Sequence, residues 1–299
     1  MMAATTKPDP VSPNPPRAKG FAGSFVNQLR RGVALEGRAR VRGIEIAYAE
    51  AGRGAPVVLL HGFPFNRTLW REQAAALAGR FRVITPDLRG HGESAAGAGP
   101  ATMEEMAADV AALLDELKVG RAVVGGLSMG GYVTLAFCRQ FPERVRALVL
   151  ADTRAQADAE EARRAREETA RRAEREGMEP IADSMLPKLV APATLGARPE
   201  VVARVREMIL ATRPEGAAAA LRGMAVRRDQ TGWLPEISVP TLIVVGREDA
   251  LTPPADSETM RAKIEGARLE VIEGAGHVSN VERPAEFNRA LESFLDGLG

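Results

Sequence analysis

Residues 122–141 read AVVGGLSMGGYVTLAFCRQF. The apolar run at 122–124 ends a strand, the stretch from Met129 to Phe141 is helical, and the two meet at Gly126-Leu127-Ser128-Met129-Gly130-Gly131. A G-x-S-x-G pentapeptide at a strand-to-helix turn is a nucleophile elbow: small residues two before and two after the serine make room for a sharp turn that holds its hydroxyl above a sheet. The helix that starts beneath it adds partial positive charge and free N–H groups. Such a pentapeptide also arises by chance in a chain with 29 glycines. The flanking strand and helix single this one out.

On either side of the elbow, short apolar runs alternate with longer helical ones. Residues 57–60 are followed by a helix at 70–77, residues 82–85 by one at 102–117, and a further run spans 145–150. The alternation resumes with runs at 241–246 and 268–272 and helices at 257–264 and 284–298. These runs are apolar throughout instead of alternating with polar residues, which marks strands covered on both faces and hence a parallel sheet with crossover helices. The helix at 102 opens Thr-Met-Glu-Glu, a capping box in which Thr102 bonds the N–H of Glu105 and Glu105 reaches back.

About 85 residues separate the run at 145–150 from the next strand-like run, too many for a structureless loop in a compact domain. Residues 155–177 carry the pairs Glu160/Arg164, Glu167/Arg171 and Glu168/Arg172 at i,i+4 in the Glu-first order that suits the helix dipole. They predict a solvated helix; a coiled coil would need Leu or Ile at a and d, which the segment lacks. Residues 181–195, 199–212 and 214–226 mix Met, Leu and Val with proline breaks and predict three further short helices. The expected organisation is a core of residues 33–153 and 233–299 interrupted by a helical cap at 154–232.

Composition narrows the function. Forty Lys and Arg, only five of them Lys, oppose 39 Asp and Glu for a net charge of +1, whereas phosphate neutralisation in a nucleic-acid binder needs a basic surface. One cysteine, Cys138, and three histidines leave no disulfide and no basis for a structural zinc site. No run approaches the ~18 apolar residues of a membrane span. The first residues carry prolines where a signal peptide has an apolar segment, so a cytoplasmic location is expected. Residues 1–20, with five prolines and almost no large apolar side chain, are expected to be a disordered tail. Residues 21–32 form an expected helical extension in which Phe21, Phe25 and Leu29 make a narrow apolar stripe. That stripe is expected to dock either on its own subunit or on a neighbour in a symmetric homodimer.

A serine hydroxyl needs a base. Only His61, His91 and His277 are available, and His277 lies in Glu273-Gly-Ala-Gly-His277 just past the last predicted strand, at the edge where parallel sheets gather site residues. His61 and His91 sit in the earlier loops HGFP and RGHGES and suit a scaffold role. The base must be oriented by a carboxylate. Asp249, 28 residues before His277 and just after the strand at 241–246, is the favoured one; Glu248 and Asp152 compete. An oxyanion needs two N–H donors: the amide of Met129, and that of Phe63 in His61-Gly62-Phe63-Pro64, where Gly62 gives backbone freedom.

These motifs together, HGFP at 61–64, PDLRGHGES at 86–94, GLSMGG at 126–131, GREDALTP at 246–253 and GAGHVSNVERP at 274–284, resemble the α/β-hydrolase superfamily over residues 38–299. The resemblance implies an eight-stranded, mostly parallel sheet with one antiparallel strand near the start, a lid after strand six, and no cofactor. It implies loop-bracing roles for Asp87, Arg89 and His91. The layout is similar to carboxylesterases, 3-oxoadipate enol-lactonases and cofactor-free haloperoxidases, whereas the dehalogenase and epoxide hydrolase branches use an aspartate where Ser128 stands.

The expected activity is hydrolysis of a small carboxylic ester or lactone by Ser128, His277 and Asp249, with Phe63 and Met129 at the oxyanion. Gly62, Trp70, Met185, Leu186 and Leu251 are expected around the substrate, with Leu189 and Met208 also in the roof. Rival expectations are peroxide as acyl acceptor on the same triad, peptidase action, and a non-catalytic small-ligand receptor on the same fold. No metal, nucleic acid or membrane partner is expected.

Overall fold

The computed structural model describes residues 35–299. The tail expected at 1–20, the apolar stripe at 21–32 and the first two core residues lie outside the described residues.

Eight strands form one sheet in the order β1-β2-β4-β3-β5-β6-β7-β8. β1 (Leu35–Val41) and β2 (Ile44–Ala51) make a hairpin. Its two central residues, Arg42 and Gly43, both have positive φ, 48° and 84°, the geometry whose twist matches that of the flanking strands. β2 runs antiparallel to both neighbours, and β3 (Ala55–Leu60), β4 (Phe81–Pro86), β5 (Ala122–Leu127), β6 (Val145–Ala151), β7 (Thr241–Gly246) and β8 (Arg268–Ile272) are parallel. Every residue of β5 and β7 is buried, as their uninterrupted apolar runs require. From β3 the chain crosses to β4 on one side, and from β4 back to β5 on the other, so the crevice at the carboxyl ends of β3 and β5 is a topological switch point.

Crossover helices α1 (Arg71–Leu77), α2 (Met103–Glu116) and α3 (Met129–Gln140) cover the first half of the sheet, and the Thr102 capping box closes as expected. Between β6 and β7 stand five helices: α4 (Glu160–Glu176), α5 (Glu179–Leu189), α6 (Pro192–Ala197), α7 (Pro199–Leu210) and α8 (Pro214–Ala225). The sequence predicts four. The difference lies at Val190-Ala191, both extended, where Pro192 cannot continue α5 and opens α6 instead. In α4 the Glu160–Arg164 and Glu167–Arg171 pairs form, but Arg172 turns forward to Glu176 rather than back to Glu168.

α4 buries only Ala170 and Ala173, which let it approach the equally small face of α8, while Arg222 of α8 grips Glu167 and Glu174. α8 in turn sits directly on the core. Gly216 meets the backbone of Gly90, Gly223 meets that of Ala101, and a Cβ on either would fall 1.8 Å from a carbonyl oxygen. The N–H of Ala101 donates to the carbonyl of Ala219 at 2.9 Å. After β7 follow α9 (Pro254–Lys263), β8, a single turn α10 (Ser279–Glu282) and α11 (Pro284–Asp296). No helix among the described residues is long and apolar enough to cross a membrane.

Candidate active site

Ser128 sits between β5 and α3 at φ 54°, ψ −114°, a conformation that a non-glycine residue adopts only where its surroundings impose it. The glycines show how. A Cβ at 126 would lie 2.1 Å from the carbonyl oxygen of Gly130, and one at 130 would lie 2.2 Å from that of Leu60. Both spacings around the serine are therefore demanded by backbone contact. The strained turn is held by Ser128 N–H donating to Ala151 and by the Thr153 hydroxyl donating to the Ser128 carbonyl at 2.8 Å.

The Ser128 hydroxyl donates to Nε2 of His277 at 2.8 Å, and Nδ1–H of His277 donates to the Asp249 carboxylate at 2.8 and 2.9 Å. The structure thus brings together three residues from the ends of β5, β7 and β8. Asp249 is saturated: Leu251 N–H, Thr252 N–H and the Thr252 hydroxyl also donate to it. Thr252 was not singled out from the sequence, although Asp-x-x-Thr ahead of the Pro254 helix is a side-chain-capped turn pattern. Burial alone would push the His277 imidazole down; the carboxylates of Asp249 and, behind it, Asp152 outweigh it and hold the imidazole above its ordinary pKa. Burial opposes the Asp249 charge too, but His277 and the Thr252 hydrogen bonds win and keep it below the usual carboxylate range.

Of the competing carboxylates, Glu248 is exposed. Asp152, at φ 44°, points elsewhere: it accepts from Gly246 N–H at 2.8 Å and from the Ser279 hydroxyl at 2.6 Å. It ties the Asp249 loop to the His277 loop, and burial together with the nearby Asp249 charge raises its own pKa well above the usual range.

Gly62 backs onto the serine, where a Cβ would stand 3.3 Å from that of Ser128, and Phe63 lines the cavity beside it. Among the described residues neither the Phe63 nor the Met129 amide donates to another backbone carbonyl in a turn, loop or cap. The earlier histidines are buried and bonded to the backbone. His61 donates Nδ1–H to Gly62 and accepts from Leu88 N–H, and His91 donates to Arg89. The Asp87 carboxylate accepts from the backbone N–H groups of Arg67 and Glu93, and Arg89 forks onto Asp109 at 2.6 and 2.8 Å.

Burial holds His61 down to about 4, and burial with the neighbouring His61 holds His91 to about 3. Both rings charge near 6.5 once unfolded, so between pH 6.5 and 4 the unfolded chain binds more protons at these sites and stability falls as the pH drops. Asp152 and Glu282, raised by burial, take up protons in the native state and offset part of the slope. Replacing His91 with glutamine should flatten the pH dependence of the unfolding free energy, measured by urea titration, by about 1.4 kcal/mol per pH unit in this window. Superimposable slopes would contradict that origin.

Above Ser128 lies a cavity of about 280 Å³. Met185 and Leu251 line it as expected, with Tyr132, Leu221 and Met224. Gly62, Trp70, Leu186, Leu189 and Met208 do not. Trp70 is fully buried in the core against Phe287, ring centroids 5.9 Å apart. On α5 the helical period sends Ser184, Met185 and Lys188 to the cavity and Leu186 and Leu189 into the core. Met208 is buried likewise. The polar liners Arg154, Arg166, Thr169 and Lys188 were not anticipated; nothing in a charge-rich helix marks which of its arginines turns inward.

The chain belongs to the α/β hydrolase fold family, whose model matches residues 55–284. It is 44% identical to a thermophilic esterase from Thermogutta terrifontis, solved with malate bound (TM-score 0.86, 89% of this chain and 99% of that one). It is 33% identical to the enol-lactonase from Burkholderia xenovorans (TM-score 0.82, 87% and 100%). Across 248 residues it is 32% identical to 3-oxoadipate enol-lactonase 2 from Acinetobacter baylyi, 83% of this chain and 91% of the relative.

Proposed function

We propose that this protein is a carboxylic ester hydrolase acting on small esters or lactones through an acyl-enzyme. The observation that supports this most directly is the chain of hydrogen bonds Ser128 to His277 to Asp249, opening on a mostly apolar cavity. His277 Nε2 takes the Ser128 proton as Oγ attacks the carbonyl carbon. The tetrahedral oxyanion receives the Phe63 and Met129 amides, the latter at the start of α3 where the helix dipole adds to it. The imidazolium, favoured by Asp249, passes its proton to the leaving alkoxide. Water then repeats the sequence on the acyl-enzyme and frees Ser128. Relatives that bear the names esterase and enol-lactonase support the reaction class.

A cavity near the lower end of small-molecule sites sets the substrate size. Across a series of p-nitrophenyl esters, kcat/KM is expected to peak at short acyl chains and fall by about tenfold or more by decanoate, since about three methylenes without room forfeit their burial. Failure to cleave any ester or lactone in a panel that also holds amides would refute the hydrolase assignment. A rate that climbed to long-chain triglycerides at an oil interface would refute the size limit.

A further inference from the structure

Three side chains around the cavity, Arg154, Arg166 and Lys188, are cations, and none of the described residues lining it is Asp or Glu. Behind its wall stands one carboxylate, Asp158, fully buried and shared by three guanidiniums: Arg154 at 3.0 Å, Arg166, and Arg227 at 2.7 Å. One negative charge against three leaves the cluster positive. Asp256 lies farther from Arg154 than an ion pair allows, its carboxylate accepts from Gln156, and it acts on Arg154 only through its field. Lys188 has no carboxylate within 4.0 Å among the described residues. The Nε of Arg154 is buried without a hydrogen-bond partner. A buried donor left unpaired is costly, and a ligand that supplies acceptor oxygens removes that cost.

Arg154 stands three residues past the end of β6 and lines the cavity with Ser128 and His277, where its charge opposes protonation of His277. Arg166 projects from α4 and Lys188 from α5. The remaining wall near them, Met185, Leu221 and Met224, is apolar. The three cations and this apolar wall thus share one cavity with Ser128 and His277.

We propose that Arg154 and Lys188 form an anion subsite and that the preferred substrate is an ester or lactone carrying a free carboxylate a few bonds from the scissile carbonyl. Arg154 presents a planar fork suited to a carboxylate, and Lys188 adds a mobile charge at the cavity mouth. The inference rests on the hydrolase function proposed above and names its substrate class.

The test compares monoethyl succinate and monoethyl glutarate with ethyl butyrate and diethyl succinate. O-acetylglycolate is the arm that places the anion on the alcohol side instead of the acyl side. The wild-type kcat/KM for the better anionic arm is expected to exceed that for the neutral esters by about tenfold or more, the scale of a charge-assisted pair in a partly desolvated site. The advantage should shrink with added salt. Lys188→Gln, at an exposed position, should reduce the anionic-to-neutral ratio by about fivefold, and Arg154→Gln by more.

Calorimetric binding of glutarate to Ser128→Ala protein, lost in the Ser128→Ala/Lys188→Gln double variant, reads the subsite without any turnover. The two proposals therefore fail separately. A protein that binds glutarate but cleaves no ester overturns the hydrolase assignment alone. Equal rates on anionic and neutral esters with no glutarate binding overturn the subsite.

Discussion

Ser128→Ala is expected to lower kcat for p-nitrophenyl acetate by about ten-thousand-fold or more, leaving only what binding and the oxyanion donors provide over water. The fold should survive. The turn is set by the backbone contacts of Gly126 and Gly130 and by the Thr153 hydroxyl on the Ser128 carbonyl, none of which uses the serine Oγ. Wild-type enzyme mixed with excess ester should release a burst of nitrophenol equal to its own concentration. The variant should show no burst and an unchanged melting temperature within a few degrees. Retention of a tenth of the wild-type rate would place the nucleophile elsewhere.

Asp249→Asn is expected to cost about a thousand-fold or more in kcat/KM, because the carboxylate both fixes the tautomer of His277 and stabilises its cation. The pH profile carries an independent signature. His277 acts as a base only when neutral, and its pKa is raised, so the wild-type acidic limb should lie above the ordinary imidazole value of 6.5. Without the Asp249 charge, burial is no longer offset by it and the limb should move to lower pH. Asp152→Asn should do far less: asparagine can still accept from Gly246 N–H and bond the Ser279 hydroxyl, and neither contact reaches the imidazole. If Asp152→Asn proved the more damaging change, the orienting acid would belong to β6.

What was legible in the sequence followed from backbone demands. The elbow could be read because only glycine tolerates the contacts at 126 and 130, and the parallel strands because burial on both faces leaves uninterrupted apolar runs. Asp249 was legible as a carboxylate at a strand end, but its preference over Asp152 could not be derived from spacing: the two lie on neighbouring strands, and only the direction of each side chain separates them. The substrate wall was least legible. Trp70 looks like a pocket aromatic and is a core residue, while Arg154, Arg166 and Lys188 look like solvated charges and face the cavity. Which face of a cap helix turns inward depends on how the helices pack on one another, and α4 packs through two alanines that no hydrophobic pattern would highlight. The α5 and α6 boundary was missed because Pro192 was read within a helix instead of as the start of one.

The seating of α8 on the core bears on how substrate comes and goes. With Gly216 against Gly90, Gly223 against Ala101 and a backbone hydrogen bond between Ala101 and Ala219, α8 meets the core main chain to main chain at three points. Such a seam cannot hinge by small rotamer changes. At α8 the cap is therefore seated rigidly on the core. A cap that opened on each turnover would therefore have to move through elements other than α8.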